Sequence, residues 1–280
     1  MTLVGTREIM DAAVAAGTGV GAFNVIHLET AEGLVAGAER AGLPVILQIS
    51  QNCAAYHGGL DAIAAGTMAV ARASSAQVAV HLDHAEDEAL ADQAIALGFG
   101  SIMFDAAHLD YRENVEATRR VARRAHVAGV YIEAELGKVF GKGGAHDPGV
   151  RTDSTEAREF VEATGVDALA VAVGSSHAMT ERSAFLDTAL IGELHDAVPV
   201  PLVLHGSSGA SDPQLQGAIR AGMTKINVST HFNGFFTRAI RDYLDEHPAA
   251  VDSRSYLAPA REAVMDEAAR LLGLFAIRRA

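Results

Sequence analysis

The stretch Val78-Ala79-Val80-His81-Leu82-Asp83-His84 decides how this chain is read. Val78 to Leu82 is short, apolar and β-branched, the mark of a buried strand. An acidic helical segment follows at once. Where apolar chain gives way to polar chain, two histidines flank an aspartate. A carboxylate beside an imidazole at the carboxyl end of a strand suits metal-assisted acid–base chemistry. Alone this is weak evidence, because a histidine at a strand end is more often a satisfied polar core group than a ligand. Two later strands that also end in histidine change the balance.

On the amino-terminal side, a helix is expected from Thr6 to Ala16 with Thr6 as its N-cap. Strands are expected at Val20–Val25 and Pro44–Ile49, with helices at Leu28–Ala41 and Gly59–Ser74. On the carboxyl side come a helix at Glu86–Leu97 stopped by Gly98, a strand at Ser101–Asp105 and a long helix at Leu109–Ala128. The strand Val130–Leu136 follows, with Glu133 and Glu135 on one side of it. Gly137 to Asp153 has no apolar period, and a loop that long is usually functional or mobile. Regularity returns with a helix at Ser154–Thr164, a strand at Ala168–Val173, a helix at Leu186–Ala197 and a strand at Val200–Leu204. A helix at Asp212–Ala221 opens on Pro213, the strand Thr224–Val228 follows, and helices at Phe232–Glu246 and Ala260–Leu272 close the chain. Eight β-then-α units in about 250 residues fit an α/β fold of one domain, residues 1–280, a single (β/α)8 TIM barrel. An open doubly wound sheet is disfavoured, since no G-x-G-x-x-G follows the first strand.

The composition narrows the partners. Hydrophobic residues make up 49% and charged residues 20%, enough for a sizeable core in a soluble protein. A net charge of −13 argues against nucleic acid as a partner, so an anionic ligand would need a metal, a helix N-terminus or backbone N–H groups. Cys53 is the only cysteine, which excludes an internal disulfide and fits a reducing cytoplasm. No apolar run is long enough to span a bilayer, and no secretory leader pattern opens the chain, so no membrane partner is expected.

The histidines converge by topology. His81 and His84 flank Asp83 after the third strand, the sixth strand runs into Gly174-Ser175-Ser176-His177, and the seventh ends at His205. Imidazoles from three strand ends at one barrel mouth give the pattern of a catalytic zinc, three protein ligands and an open position. The seventh strand continues as Gly206-Ser207-Ser208-Gly209, the eighth as Asn227-Val228-Ser229-Thr230. Loops after these strands form the usual phosphate site of such barrels.

Six motifs carry a resemblance over nearly the whole chain: Ala22-Phe23-Asn24-Val25, Pro44-Val45-Ile46-Leu47-Gln48, His81-Leu82-Asp83-His84, Glu133-Ala134-Glu135-Leu136-Gly137, Leu202-Val203-Leu204-His205-Gly206 and Lys225-Ile226-Asn227-Val228. The chain resembles the zinc-dependent, class II ketose-bisphosphate aldolases, which include the fructose- and tagatose-bisphosphate enzymes. The resemblance implies a zinc site from His84, His177 and His205, with His81 in a supporting role. It implies Asp83 as the acid–base group, and Asp105 and Glu135 as carboxylates of an alternative metal position. Dihydroxyacetone phosphate would lie against Gly206, Ser207 and Ser208 and against Asn227, Val228, Ser229 and Thr230, with Asn24 and Ser50 as further substrate contacts. By analogy the chain forms a homodimer or homotetramer, and a monovalent cation is a further expected ligand near the second zinc histidine.

The chain departs from the pattern in places. Ala178 follows the second zinc histidine where relatives carry glycine, and its methyl crowds a phosphate or monovalent-cation contact. The loop Gly141-Lys142-Gly143-Gly144-Ala145-His146-Asp147 lacks the glutamate that moves the C–H proton in relatives, which leaves His146 or Asp147 for that task. Asp105-Ala106-Ala107 stands where relatives usually show Asp-Gly-Ser. Ser229 and His231 stand where bisphosphate-cleaving relatives carry carboxylates, which points to a different distal half of the sugar. The alternative to an aldolase is a non-catalytic metal- and phosphosugar-binding protein on the same barrel.

Overall fold

The structure, a computed structural model, describes residues 2–136, 151–175 and 184–278. Eight parallel strands close on themselves in sequence order: β1 Val20–Asn24, β2 Val45–Ser50, β3 Val78–Ala85, β4 Ser101–Phe104, β5 Tyr131–Glu135, β6 Ala168–Ala170, β7 Leu202–Leu204 and β8 Met223–Val228, with β8 paired back onto β1. The expected (β/α)8 barrel is the fold.

The helices follow from the sequence signals. α1 Thr6–Ala16 precedes β1, and α2 Leu28–Ala41 joins β1 to β2. α3 Gln51–Tyr56 and α4 Asp61–Ala73 lie before β3, and α5 Glu88–Leu97, α6 Tyr111–Val127 and α7 Ser154–Thr164 before β4, β5 and β6. α8 Thr188–Ala197 and α9 Asp212–Ala221 follow, and α10 Thr230–Glu246 and α11 Ser253–Phe275 come after β8. Aspartates cap many of them: Asp87, Asp110, Asp153 and Asp187 each accept a backbone N–H of the first turn, which satisfies a donor the helix itself leaves open. Gly98 ends α5 in the left-handed conformation, as expected, and Gly42 ends α2 in the same way.

Strand parity divides the core in two. Outward residues such as Val78, Val80 and Leu82 pack against the helices in the larger cluster. Inward residues Val20, Ala22, Ile46, Ala79, Tyr131, Ala168, Ala170 and Val203 fill the barrel's lower half, with Ile9, Met10 and Ala13 of α1 packed among them. Above that apolar plug the inward positions turn polar: Gln48, His81, Glu133, His205 and Lys225 are all buried.

Four expectations are corrected. Thr6 is the first residue of α1, not its cap; Gly5 takes that place without a side-chain bond, and the Thr6 hydroxyl lies 2.6 Å from Ser101 Oγ inside the protein. The strand at β3 runs on to Ala85. The segment after β2 is helical from Gln51, because Ser50 Oγ accepts the Cys53 N–H and caps it. The last helix begins at Ser253, ahead of Pro259, which sits inside it. Proline removes one helical hydrogen bond, but the helix is held by close packing on α2. A Cβ on Gly33 would lie 2.8 Å from the Arg261 carbonyl oxygen, and one on Gly37 2.7 Å from that of Met265. Among the described residues no helix is long and apolar enough to cross a membrane.

Candidate active site

β3 supplies two neighbouring side chains to one place, which a regular strand does not do. Its register with β4 shifts between Leu82 and Ala85. His84 has φ 49°, the one non-glycine with positive φ among the described residues. Left-handed backbone at a non-glycine residue costs energy and clusters at functional sites. Here it turns Asp83 and His84 into the same cavity of about 180 Å³ at the carboxyl ends of the strands. The cavity is also lined by Asn24, Ser50, Asn52, Gly206, Ser208, Asn227, Ser229 and Thr230.

Each imidazole is oriented by a carboxylate. His84 Nδ1 lies 3.1 Å from Asp105 Oδ2, and His205 Nε2 lies 3.0 Å from Glu133 Oε1. The remaining nitrogens, His84 Nε2 and His205 Nδ1, are 3.1 Å apart. Asp83, His84 and His205 offer ligand atoms that all lie within 4.8 Å of one another, and so do His84, Asp105 and Glu135. The two sets share His84: one joins two of the expected zinc histidines to Asp83, and the other gathers the residues expected for an alternative metal position. Imidazole nitrogens backed by carboxylates are the donor set and support that zinc takes. The residues present therefore fit a divalent metal.

Asp83 is buried and anchored through one of its two oxygens. Asn24 Nδ2 donates to its Oδ2 at 3.1 Å, and Gln48 Nε2 donates to Asn24 Oδ1 at 3.0 Å. Its Oδ1 is buried with no hydrogen-bond partner among the described residues. Burial alone would raise its pKa, but His84, His205, Lys225 and the Asn24 N–H outweigh it and hold the carboxyl below its usual value. The group is thus a carboxylate with one oxygen open to receive a proton. Burial would likewise lower the His84 pKa, but Asp83, Asp105 and Glu135 raise it to about 10, so without metal this imidazole is protonated. Asp105 is held at about 2, burial being outweighed by His84. The site is built for a cation at this point, whether proton or metal.

Below it lies a buried charge pair. Lys225 Nζ is 2.7 Å from Glu133 Oε2 and 3.3 Å from His81 Nε2. Burial, and then Lys225, push the His81 pKa well below its usual value, so this histidine is neutral. His81 is a structural partner of Ser101, at 2.7 Å, and not a cavity residue.

The loop after β7 turns at Gly206, φ 66°, into a short 3-10 turn at Ser207–Gly209. The Ser207 hydroxyl donates to the Asn227 carbonyl oxygen and ties this loop to the end of β8. Ser207 and Val228 are buried and absent from the cavity lining, unlike the other described substrate-contact candidates, Asn24, Ser50, Gly206, Ser208, Asn227, Ser229 and Thr230. His231 is not at the cavity either. Its Nε2 meets Glu267 Oε1 at 2.6 Å on α11, while its backbone N–H donates to Ser208 Oγ at 3.2 Å. The expectation that Ser229 and His231 together shape the distal pocket is therefore corrected for His231. His146, Asp147, His177 and Ala178 lie outside the described residues. Asn52 was missed by the sequence reading; it stands on α3, whose helical character was itself not foreseen.

A closed barrel with imidazoles and carboxylates at the carboxyl ends of its strands defines a class of enzyme equipped for metal-assisted proton transfer. The family model "Fructose-bisphosphate aldolase class-II" matches residues 4–278, and the chain belongs to that family of aldolases, carbon–carbon lyases that are in general zinc-dependent. The chain is similar to the YdjI aldolase of Escherichia coli K12, with 30% identity over 98% of this chain and 97% of that one and a TM-score of 0.84. The fructose-bisphosphate aldolase of Campylobacter jejuni, 21% identical over 98% of this chain and 95% of its own, shares the fold at a TM-score of 0.81.

Proposed function

We propose that this aldolase cleaves a phosphorylated ketose reversibly to dihydroxyacetone phosphate and an aldehyde, with zinc held by His84, His177 and His205. The observation that carries the reading is the placement of the ionised, half-satisfied Asp83 carboxylate beside two imidazole nitrogens 3.1 Å apart. Zinc at those nitrogens would supply a Lewis acid that draws charge from a ketone oxygen. Asp83 takes the hydroxyl proton next to the breaking carbon–carbon bond, through its open Oδ1, and returns it in the condensation direction. Asn24 holds Asp83 in place through the other oxygen, and Gln48 holds Asn24. Ser50, Asn227 and Thr230 line the cavity and bind the hydroxyls and phosphate of the ketone half. Asp105 orients His84, and with Glu135 it offers that imidazole an alternative metal position. The C–H proton falls to His146 or Asp147, on the sequence pattern alone. The aldehyde half differs from glyceraldehyde 3-phosphate because Ser229, neutral and at the cavity, replaces a carboxylate.

A panel of ketose 1-phosphates and 1,6-bisphosphates, including fructose, tagatose and deoxy-keto-acid phosphates, tests this. Cleavage of at least one with release of dihydroxyacetone phosphate is expected. Release of a different ketone fragment, or turnover only of unphosphorylated sugars, would overturn it.

A further inference from the structure

Two buried charges take no part in the proton transfers above: the Glu133 carboxylate, already seen against His205, and the Lys225 ammonium, each with 1% of its side chain exposed. They belong to one run of hydrogen bonds. Lys225 Nζ donates to Glu133 Oε2 at 2.7 Å and to His81 Nε2 at 3.3 Å. His81 Nδ1 continues to Ser101 Oγ at 2.7 Å, and Ser101 to Thr6 Oγ1 at 2.6 Å. At the other end, Glu133 Oε1 meets His205 Nε2 at 3.0 Å.

The directions of these bonds are dictated by chemistry. An ammonium only donates, so Glu133 and His81 both accept from Lys225. A carboxylate only accepts, so His205 must donate from Nε2. A neutral imidazole carries a single N–H. With that hydrogen on Nε2, the lone pair is on Nδ1, the atom 3.1 Å from His84 Nε2 at the candidate metal position.

We propose that Glu133 and Lys225 are positioning residues that set the tautomer of His205, so that Nδ1 reaches the metal as a bare lone pair. The inference rests on the metal reading above and goes past it. Lys225 touches neither the cavity lining nor either imidazole of the described metal ligands. It acts through Glu133, by claiming one carboxylate oxygen and leaving the other to His205. It also offsets the buried negative charge, which would otherwise be costly.

The proposal makes an unusual demand on double substitution. In Glu133→Gln the amide has one oxygen and one NH2. Lys225 offers only hydrogens and draws the oxygen. The NH2 then faces His205 Nε2, which must accept, and the ring proton moves to Nδ1, where it blocks the metal. In Glu133→Gln with Lys225→Met the ammonium is gone, the amide is free to turn its oxygen to His205, and the working tautomer returns. The double variant is a neutral pair of similar volume, a replacement that buried ion pairs tolerate.

Zinc affinity is read by competition with a chromophoric chelator, and the His205 tautomer by 15N NMR of the imidazoles in metal-free protein that also carries His84→Ala, so that no N–H of His84 competes for Nδ1. Glu133→Gln should bind zinc roughly 10–100-fold more weakly, with the proton on Nδ1. The double variant should recover at least about tenfold of that loss, with the proton back on Nε2. A double variant that binds more weakly than Glu133→Gln, or one tautomer throughout, would overturn the proposal; so would wild-type affinity in Glu133→Gln. If the unaltered protein takes up no zinc, the metal reading fails, and the NMR tautomers still decide whether Glu133 and Lys225 set His205.

Discussion

Asn24 at the end of β1 donates its side-chain N–H to Asp83 at the end of β3, at 3.1 Å, across the intervening strand β2. Gln48 of β2 fills the gap by bonding Asn24 in turn, at 3.0 Å. Three neighbouring strands thus hold one carboxylate. Asp83→Asn keeps the shape and removes the proton acceptor. It should retain metal and lose cleavage by about 10²–10⁴-fold. Asn24→Ala should cost less, roughly 10–100-fold, the worth of one hydrogen bond to a charged group. Metal content and kcat measured together check both, and near wild-type turnover in Asp83→Asn would sink the assignment.

Metal should be essential and no covalent imine should form. A chelator is expected to abolish cleavage and zinc to restore it. Lys225 is engaged by Glu133 at 2.7 Å and buried in the barrel, so it is not available as an amine nucleophile. Borohydride added with substrate should leave activity intact. Reductive trapping at Lys225, or activity after full demetallation, would contradict this.

Zinc uptake should release protons. Metal-free His84 has its pKa raised from 6.5 to about 10, so it carries a proton that a metal must displace. Apparent zinc affinity should therefore climb with pH between those two values. The same shift has a stability consequence with a definite sign. A raised folded-state pKa stabilises fully below 6.5, and that contribution is lost as pH climbs through about 10. Metal-free protein should lose thermal stability over this range, and His84→Gln should flatten the loss. Calorimetry at pH 8 in buffers of different ionisation heat reads the proton release directly; buffer-independent heats would refute it.

The distal side of the substrate should respond to Ser229 and not to His231. Ser229 lines the cavity, so Ser229→Asp should shift the ratio of kcat/KM toward fructose 1,6-bisphosphate, roughly tenfold for each 1.4 kcal/mol gained. His231 faces Glu267, so His231→Asp would set two carboxylates against each other and cost about 1–3 kcal/mol of stability. Arg270 and His231 together hold the Glu267 pKa down against its burial. That contribution exists above the usual glutamate range and fades as the pH falls through the lowered value. Denaturant midpoints and a substrate panel separate the two effects. A specificity change from His231→Asp alone would show that its side chain reaches the substrate.

The chain's alternation of apolar strands and amphipathic helices was enough to predict a barrel, because the periods of two and 3.6 residues are local properties of the backbone. His84 and His205 could be named as candidates because each stands at a strand's polar end, and parallel strands bring those ends together; Asp105 and Glu135 were named on the family resemblance. Glu133 and Glu135 were legible as sharing a face for the same reason of parity. What no local pattern carries is which atom of each side chain meets which partner.

Three features came only from the tertiary structure. Strand parity alone would send Asp83 and His84 to opposite faces; the register shift beside β4 and the left-handed backbone at His84 bring them to one. His231, next in sequence to the cavity residue Thr230, is claimed by Glu267 of a helix 36 positions away. Lys225 and Glu133, 92 residues apart, become a buried pair because both point inward at compatible heights of the closed barrel. Secondary structure and the chemical character of the strand ends are written in nearest neighbours. Bond direction, tautomer and charge pairing depend on contacts between distant segments, which exist only once the barrel has closed.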